Sequence, residues 1–181
     1  FYSYYLIEDQ SEPTNFSVPT GNFGDVYAGY LAKKMGLPIN KLLVATNQND
    51  ILHRAISNGN YEAETVSETI SPSMDIQIAS NFERLIFDLN DNNSEQTSKD
   101  MMKIKEEGKY SIGIEKLNLI KQDFLSARMS ETETLDVIKS VYKEFNIVLD
   151  PHTAIGYGAF DKHDLNGNNI VLATAHPCKF P

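Results

Sequence analysis

Apolar residues in the first sixty positions form short continuous runs that alternate with stretches of helical spacing. Residues 15–18 and 41–47 are compact apolar runs, which are typical of buried strands. Residues 26–35 and 50–58 instead carry apolar side chains at helical spacing, and Gly59 stands where the second of these helices should end. A strand–helix–strand–helix order at this spacing predicts a parallel sheet with right-handed crossovers.

The middle of the chain, about residues 94–146, is charged and follows helical patterns. One apolar stripe there consists of Leu117, Ile120, Phe124 and Leu125, and a second consists of Leu135, Ile138, Val141, Tyr142 and Phe145. Such stripes are typical of helices that pack one face against a core. We therefore predict a helical insertion over residues 94–146 that lies away from any ligand site.

The α/β pattern surrounds this insertion. Before it, we predict a loop over residues 65–73 and a helix whose apolar stripe comprises Ile78, Phe82, Leu85, Ile86 and Leu89. After it, we predict a strand at 147–149, a helix over 154–160 and a strand at 170–173. No linker divides the chain into separate domains. The alternation of strands and helices predicts the fold class α/β, with a parallel sheet flanked by helices and one helical insertion.

The turn after the first predicted strand, Val18-Pro19-Thr20-Gly21-Asn22-Phe23-Gly24-Asp25, has the composition of an anion-binding turn. We expect its two glycines to adopt positive φ and to let a ligand approach the main chain, so a β-branched residue at Gly24 should disrupt it. The first N–H groups of a helix lack partners and carry partial positive charge, which favours a phosphate.

The anion-binding turn alone leaves a purely structural role open. It is neither G-x-G-x-x-G nor G-x-x-x-x-G-K-[ST], so it gives no direct support to a dinucleotide-binding fold or a P-loop. In parallel sheets, ligands bind beyond the carboxyl ends of strands. Three segments are predicted at that edge, namely residues 20–25, 46–49 and 174–176.

Several segments resemble threonine synthase, and they occur in the order found in that family. They are residues 17–25, 29–38, 43–50, 71–76, 80–85, 150–154 and 174–177, with Lys179 and Phe180. The one region that matches the family loosely comprises about residues 92–147. The resemblance implies a pyridoxal-phosphate (PLP) enzyme of the tryptophan-synthase-β-like fold (fold type II). Residues 1–181 would be a C-terminal fragment of its PLP-binding catalytic domain.

The family converts O-phospho-L-homoserine and water into L-threonine and phosphate. The resemblance implies that the PLP phosphate binds at the turn and that Thr174 contacts the pyridine nitrogen; the implied cofactor-binding residues are Gly21, Asn22, Phe23, Gly24, Asp25 and Thr174. The Schiff-base lysine of the family lies in a Ser-Phe-Lys-Asp-like segment, which we expect upstream. No such segment occurs here, so no catalytic residue is assigned and the isolated piece is expected to be inactive.

Other roles stay open at this point. His152 and His176 could each act as a general acid or base, or could cap a turn. A related PLP-dependent threonine or serine dehydratase is an alternative, although such enzymes usually carry a Ser-Gly-Gly-Gly-type turn. A non-catalytic phosphate-binding fragment is the other alternative.

The charge and the amino-acid composition of the chain limit the classes of partner that it is expected to bind. A net charge of −9 argues against nucleic acid, and no apolar run is long enough to span a membrane. One cysteine, Cys178, excludes an intrachain disulfide framework, fits a reducing, cytoplasmic setting and is expected to be buried. We expect no metal site, and the oligomeric state is left open.

Overall fold

The computed structural model describes residues 1–180. Its strands are β1 (Thr14–Pro19), β2 (Ile39–Thr46), β3 (Asn60–Glu62), β4 (Lys109–Ser111), β5 (Phe124–Arg128) and β6 (Asn168–Val171). Its α-helices are α1 (Tyr2–Tyr5), α2 (Gly24–Lys34), α3 (Ile51–Asn58), α4 (Phe82–Leu89), α5 (Ser94–Glu107), α6 (Ile114–Asp123), α7 (Glu131–Phe145) and α8 (Pro151–Gly158). Short 3₁₀ turns cover Pro72–Met74, Ala159–Lys162 and Pro177–Lys179.

The main sheet has four parallel strands in the order β5-β2-β1-β6. All six residues of β1 are buried, as expected for a central strand covered on both faces. The predicted α/β class with a parallel sheet is confirmed, and so is the order β1–α2–β2–α3. Gly59 closes α3 with a φ of 82°, the left-handed conformation that ends many helices.

The segment 94–146 is mostly helical, but it also supplies strands. Phe124 and Leu125 belong to β5, which pairs in parallel with β2, so their predicted place on a helix is wrong. A second strand of this segment, β4, pairs antiparallel with β3. The physical reason is that α6 ends at Asp123, and a strand that begins with two apolar residues, Phe124 and Leu125, cannot be distinguished from the end of a helical stripe by spacing alone. The segment therefore contributes an edge strand to the main sheet.

Four smaller predictions also differ from the structure. Ile78 is exposed and precedes α4. Residues 147–149 form no strand: Asn146 ends α7 with a φ of 56°, and the chain then runs directly to the N-cap of α8. The last strand ends at Val171 rather than at residue 173. Cys178 is exposed, because the chain after β6 lies on the surface.

The larger core lies on one face of the sheet and contains a run of aromatic contacts. The Phe23 ring meets that of Phe82 edge to face at 5.2 Å, and Phe82 stacks on Tyr61 at 5.0 Å. Phe124 of β5 lies 5.9 Å from Phe23. These contacts join the start of α2 to α4 and to both sheets, so the turn before α2 is anchored in the core.

On the opposite face, α8 packs against the carboxyl end of β1 through Gly156. A Cβ at this glycine would lie 2.9 Å from Pro19 Cγ and 3.1 Å from Val171 Cγ1. The Ser17 hydroxyl donates to the Gly156 carbonyl at 2.6 Å. The predicted close packing at this glycine is confirmed, and it fixes α8 relative to the end of β1.

We expect Gly156→Ala to destabilise the fold by about 1–3 kcal/mol, because the added methyl group must displace a proline ring. Gly24→Ala is the matched control, since its Cβ would meet only Asn81 Nδ2 at 3.4 Å. The control should change the free energy of unfolding by no more than about 1 kcal/mol. Urea denaturation of both variants measures this difference, and equal stabilities would contradict the packing described.

Candidate functional site

The candidate site lies where the parallel strands end. β1 ends at Pro19, β2 at Thr46 and β6 at Val171, so the segments that follow them emerge at one edge of the sheet. Ligands of open α/β sheets bind in this position. The turn of residues 20–25 connects β1 to α2 there, as predicted.

A run of unpaired main-chain donors defines this turn. Thr20 N donates to Ala45 O at 2.8 Å, and Tyr27 N donates to Phe23 O at 3.1 Å. Between these two, none of the N–H groups of residues 21–26 donates to another described residue. Residues 18–26 line a cavity of about 180 Å³ and contain no basic side chain. The geometry offers N–H groups and the positive end of a helix dipole to an anion.

The turn reaches this shape differently from the prediction. Phe23 has a φ of 67°, whereas neither glycine of the turn has a φ in the left-handed region, so the expected positive φ at Gly21 and Gly24 is wrong. The left-handed conformation costs a non-glycine residue about 1–2 kcal/mol. Burying the Phe23 ring, which is 1% exposed, offsets this cost with about 1.5–3 kcal/mol.

The two glycines of the turn have different surroundings. A Cβ at Gly21 would lie 2.6 Å from the main-chain oxygen of Ser73, a distance that no real side chain tolerates. A Cβ at Gly24 would meet only Asn81 Nδ2 at 3.4 Å, so the disruption expected from a β-branched residue at Gly24 would come from the bound phosphate and not from the protein, and it stays a prediction. Gly21 is the position that lets the segment 71–75 approach the turn.

Asn22 ties the turn to a second segment. Its Oδ1 accepts hydrogen bonds from Ser80 N at 2.9 Å and from Ser80 Oγ at 3.1 Å. Its main-chain oxygen accepts from Asn81 N at 3.2 Å. The Asn22 side-chain oxygen is therefore engaged within the protein, whereas its Nδ2 and its main-chain N–H donate to no described residue. The turn is held between residues 80–81 and the segment 71–75.

Asp25 and Thr174 are exposed. Asp25 lies in the first turn of α2, where a carboxylate interacts favourably with the helix dipole. Thr174 lies three residues beyond β6, and its hydroxyl forms no hydrogen bond within residues 1–180. Both follow strands that end at the same edge of the sheet.

The polar residues after β2 form a network that the sequence did not reveal. Asp75 Oδ1 accepts hydrogen bonds from Asn47 Nδ2 at 2.7 Å, from Asn49 Nδ2 at 2.9 Å and from Thr69 Oγ1 at 2.6 Å. Asp75 Oδ2 accepts from Thr69 N at 2.8 Å. The one sequence feature that points to this network is the set of polar residues directly after the buried strand β2. Their side chains fasten the segment 69–75 over the carboxyl edge of the sheet.

Both candidate histidines make capping hydrogen bonds. His152 is 2% exposed, its Nδ1 lies 3.0 Å from Asp150 Oδ1, and its Nε2 accepts from Ser73 N at 3.2 Å. His176 Nδ1 accepts from Cys178 N at 3.2 Å. Since both ring nitrogens of His152 have partners within the protein, the geometry favours a structural role for it over acid–base catalysis.

Two further properties bear on function. Within residues 1–180, no three or more His, Cys, Asp or Glu side chains come together in a way that could bind a metal ion. None of the described helices combines the length and the apolar character needed to cross a membrane.

Comparisons with known proteins identify relatives. No family model matches the chain. It is 46% identical to threonine synthase from Pseudomonas aeruginosa over 168 residues, which covers 92% of this chain and 36% of that protein.

Solved structures agree with this relationship. The PLP-bound threonine synthase of Brucella melitensis superposes with a TM-score of 0.92 at 44% identity, over 96% of this chain and 38% of that one. The yeast threonine synthase superposes with a TM-score of 0.93 at 40% identity, over 99% of this chain and 39% of that one. The chain thus spans less than two fifths of the length of these relatives, and it belongs to the threonine synthase family.

Proposed function

We propose that this chain provides the cofactor-phosphate site of a PLP-dependent threonine synthase, which converts O-phospho-L-homoserine and water into L-threonine and phosphate. The observation that carries the proposal is the run of free N–H groups over residues 21–26, in a chain 46% identical to such an enzyme. The proposed cofactor-binding residues are Gly21, Asn22, Phe23, Gly24, Asp25 and Thr174.

The turn fits a phosphate. Its cavity of about 180 Å³ is smaller than the ~300–1,000 Å³ of sites that enclose a whole ligand, so it suits the phosphate rather than the ring. No basic side chain lines it, so the N–H groups and the start of α2 would neutralise the dianion. The net charge of −9 does not oppose this, because exposed charges more than about 10 Å away are largely screened, and Asp25, the one acidic residue that lines the cavity, is exposed to solvent.

Each part of the site has a distinct task in this proposal. PLP, when bound, supplies an electron sink for the reacting carbon atoms. The turn binds and orients the phosphate, and the Thr174 hydroxyl donates a hydrogen bond to the pyridine nitrogen without protonating it. The hydrogen bonds of Asp75 keep the segment 69–75 in place, so that the main-chain oxygen of Ser73 lies next to Gly21.

The covalent attachment of the cofactor is assigned to no residue of this chain. None of its lysines lies in the Ser-Phe-Lys-Asp-like context of the family. We therefore expect these 181 residues to bind the cofactor phosphate without turning over O-phospho-L-homoserine. The proposed setting is cytoplasmic, and a small-molecule substrate is the proposed partner.

A dehydratase of the same fold is the second candidate for the whole enzyme. The Gly-Asn-Phe-Gly-Asp turn and the identity to threonine synthases both favour the first candidate. Product analysis of the full-length enzyme separates them. Formation of 2-oxobutanoate from threonine, without formation of threonine from O-phospho-L-homoserine, would identify a dehydratase.

We expect Gly21→Ala to weaken PLP binding by at least ~100-fold, because the new Cβ must displace Ser73 or the turn. Losing two charge-assisted hydrogen bonds, each worth about 1.5–3 kcal/mol, has this effect. Gly24→Ala is the matched control, and it should stay within about threefold of the wild type because Ala keeps the main-chain N–H and its Cβ meets no protein atom closer than 3.4 Å. Isothermal titration with PLP measures the affinity of both variants, and an unchanged affinity in Gly21→Ala would contradict the proposed phosphate site.

Thr174→Val should affect the reaction more than binding. Loss of one neutral hydrogen bond, worth about 0.5–1.5 kcal/mol, should weaken PLP affinity no more than about tenfold. In the full-length enzyme, kcat should fall further than this, whereas Thr174→Ser, which keeps the hydroxyl, should retain most activity. Equal kcat values for the Val and Ser variants would exclude a role of the hydroxyl.

A further inference from the structure

We infer that His152 is a positioning residue of the phosphate site, because it holds the segment 71–75 against Gly21. This inference rests on the proposed function of the turn. Three observations carry it: the hydrogen bonds of the His152 ring, the close approach of Ser73 to Gly21, and the attachment of α8 to β1.

The hydrogen bonds of His152 set its tautomer. The Asp150 carboxylate can only accept, so the Nδ1 atom, 3.0 Å from Asp150 Oδ1, carries the proton. Nε2 is then left as an acceptor, and Ser73 N donates to it at 3.2 Å. The Phe180 ring, 4.7 Å away between centroids, packs against the imidazole. The neutral ring therefore connects Asp150 to the main chain of Ser73.

Asp150 is suited to be the fixed end of this connection. Burial raises the pKa of its carboxyl group, but hydrogen bonds from the Thr153 hydroxyl and from His152 outweigh burial and hold the pKa below its usual value. The main-chain N–H of His152 also donates to Asp150 Oδ1 at 2.9 Å. The carboxylate therefore stays ionised and keeps accepting from Nδ1 at neutral pH.

Ser73 passes this constraint on to the phosphate site. Its N–H is bound by His152, while its main-chain oxygen lies 2.6 Å from where a Gly21 Cβ would stand. Its side chain is exposed and makes neither contact. Ser73 therefore connects His152 to the turn through its main chain alone, with its N–H on His152 and its carbonyl oxygen next to Gly21. His152 and Ser73 are 79 residues apart in sequence.

The helix that carries His152 is itself attached to β1. The Ser17 hydroxyl of β1 donates to the Gly156 carbonyl of α8 at 2.6 Å. Since β1 leads directly into the turn, α8 and the turn share one support. His152 therefore acts together with the hydrogen bonds of Asp75 to hold the segment 71–75 beside the turn, where Ser73 lies next to Gly21.

Two substitutions separate this role from general packing. In His152→Gln, the amide group takes the place of Nε2 and can accept from Ser73 N. In His152→Asn, the shorter amide takes the place of Nδ1, so it keeps the Asp150 contact and loses Ser73. Each variant loses one ring contact, so a merely structural role would affect both alike.

We expect His152→Asn to speed amide hydrogen exchange at Ser73 about tenfold or more and to weaken PLP affinity about tenfold, as for one lost hydrogen bond. His152→Gln should stay within about threefold of the wild type in both measurements. Equal effects of the two variants would overturn the inference, as would faster Ser73 exchange in His152→Asn with unchanged affinity.

The same measurements distinguish a failure of the proposed function. If the wild-type chain binds neither PLP nor inorganic phosphate, then the proposed phosphate site fails. Ser73 exchange in the two variants then decides the positioning role alone: faster exchange confined to His152→Asn supports it, and similar exchange in both contradicts it.

Discussion

The unpaired N–H groups between Thr20 and Tyr27 set the main constraint on this protein. A main-chain N–H without an acceptor costs free energy unless water or a ligand accepts its hydrogen bond. A fold therefore keeps such groups only where the main chain stays accessible to water or to a ligand. Here the turn is held by the Phe23 ring in the core, by Asn22 on residues 80–81, and by Ser73 next to Gly21. Anion binding is the chemical use of such a turn.

Support for the turn comes from both faces of the sheet. On one face, the aromatic contacts of Phe23 with Phe82 and Phe124 fix the start of α2. On the other, α8 packs closely on β1 through Gly156 and carries His152 to Ser73. The proposed phosphate site therefore depends on packing in two separate cores, and distant segments of the chain surround the turn for this reason.

Local features of this fold could be predicted from sequence, whereas features decided by tertiary contacts could not. The order from β1 to α3 followed from apolar spacing and from the Gly59 stop signal. The strand at Phe124 was missed because its apolar residues continue the stripe of α6, and only pairing with β2 distinguishes them. Phe23, not a glycine, adopts positive φ because burial of its ring outweighs local preference. The contact between His152 and Ser73 has no local signal.

Amide NMR with two related ligands tests the central claim most directly. PLP should shift the amide resonances of residues 21–26, and inorganic phosphate should compete for the same resonances. Pyridoxal, which lacks the phosphate, should leave them unchanged, because the claim is that the main-chain N–H groups bind the phosphate. Equal shifts with pyridoxal, or PLP shifts confined to other residues, would contradict the account.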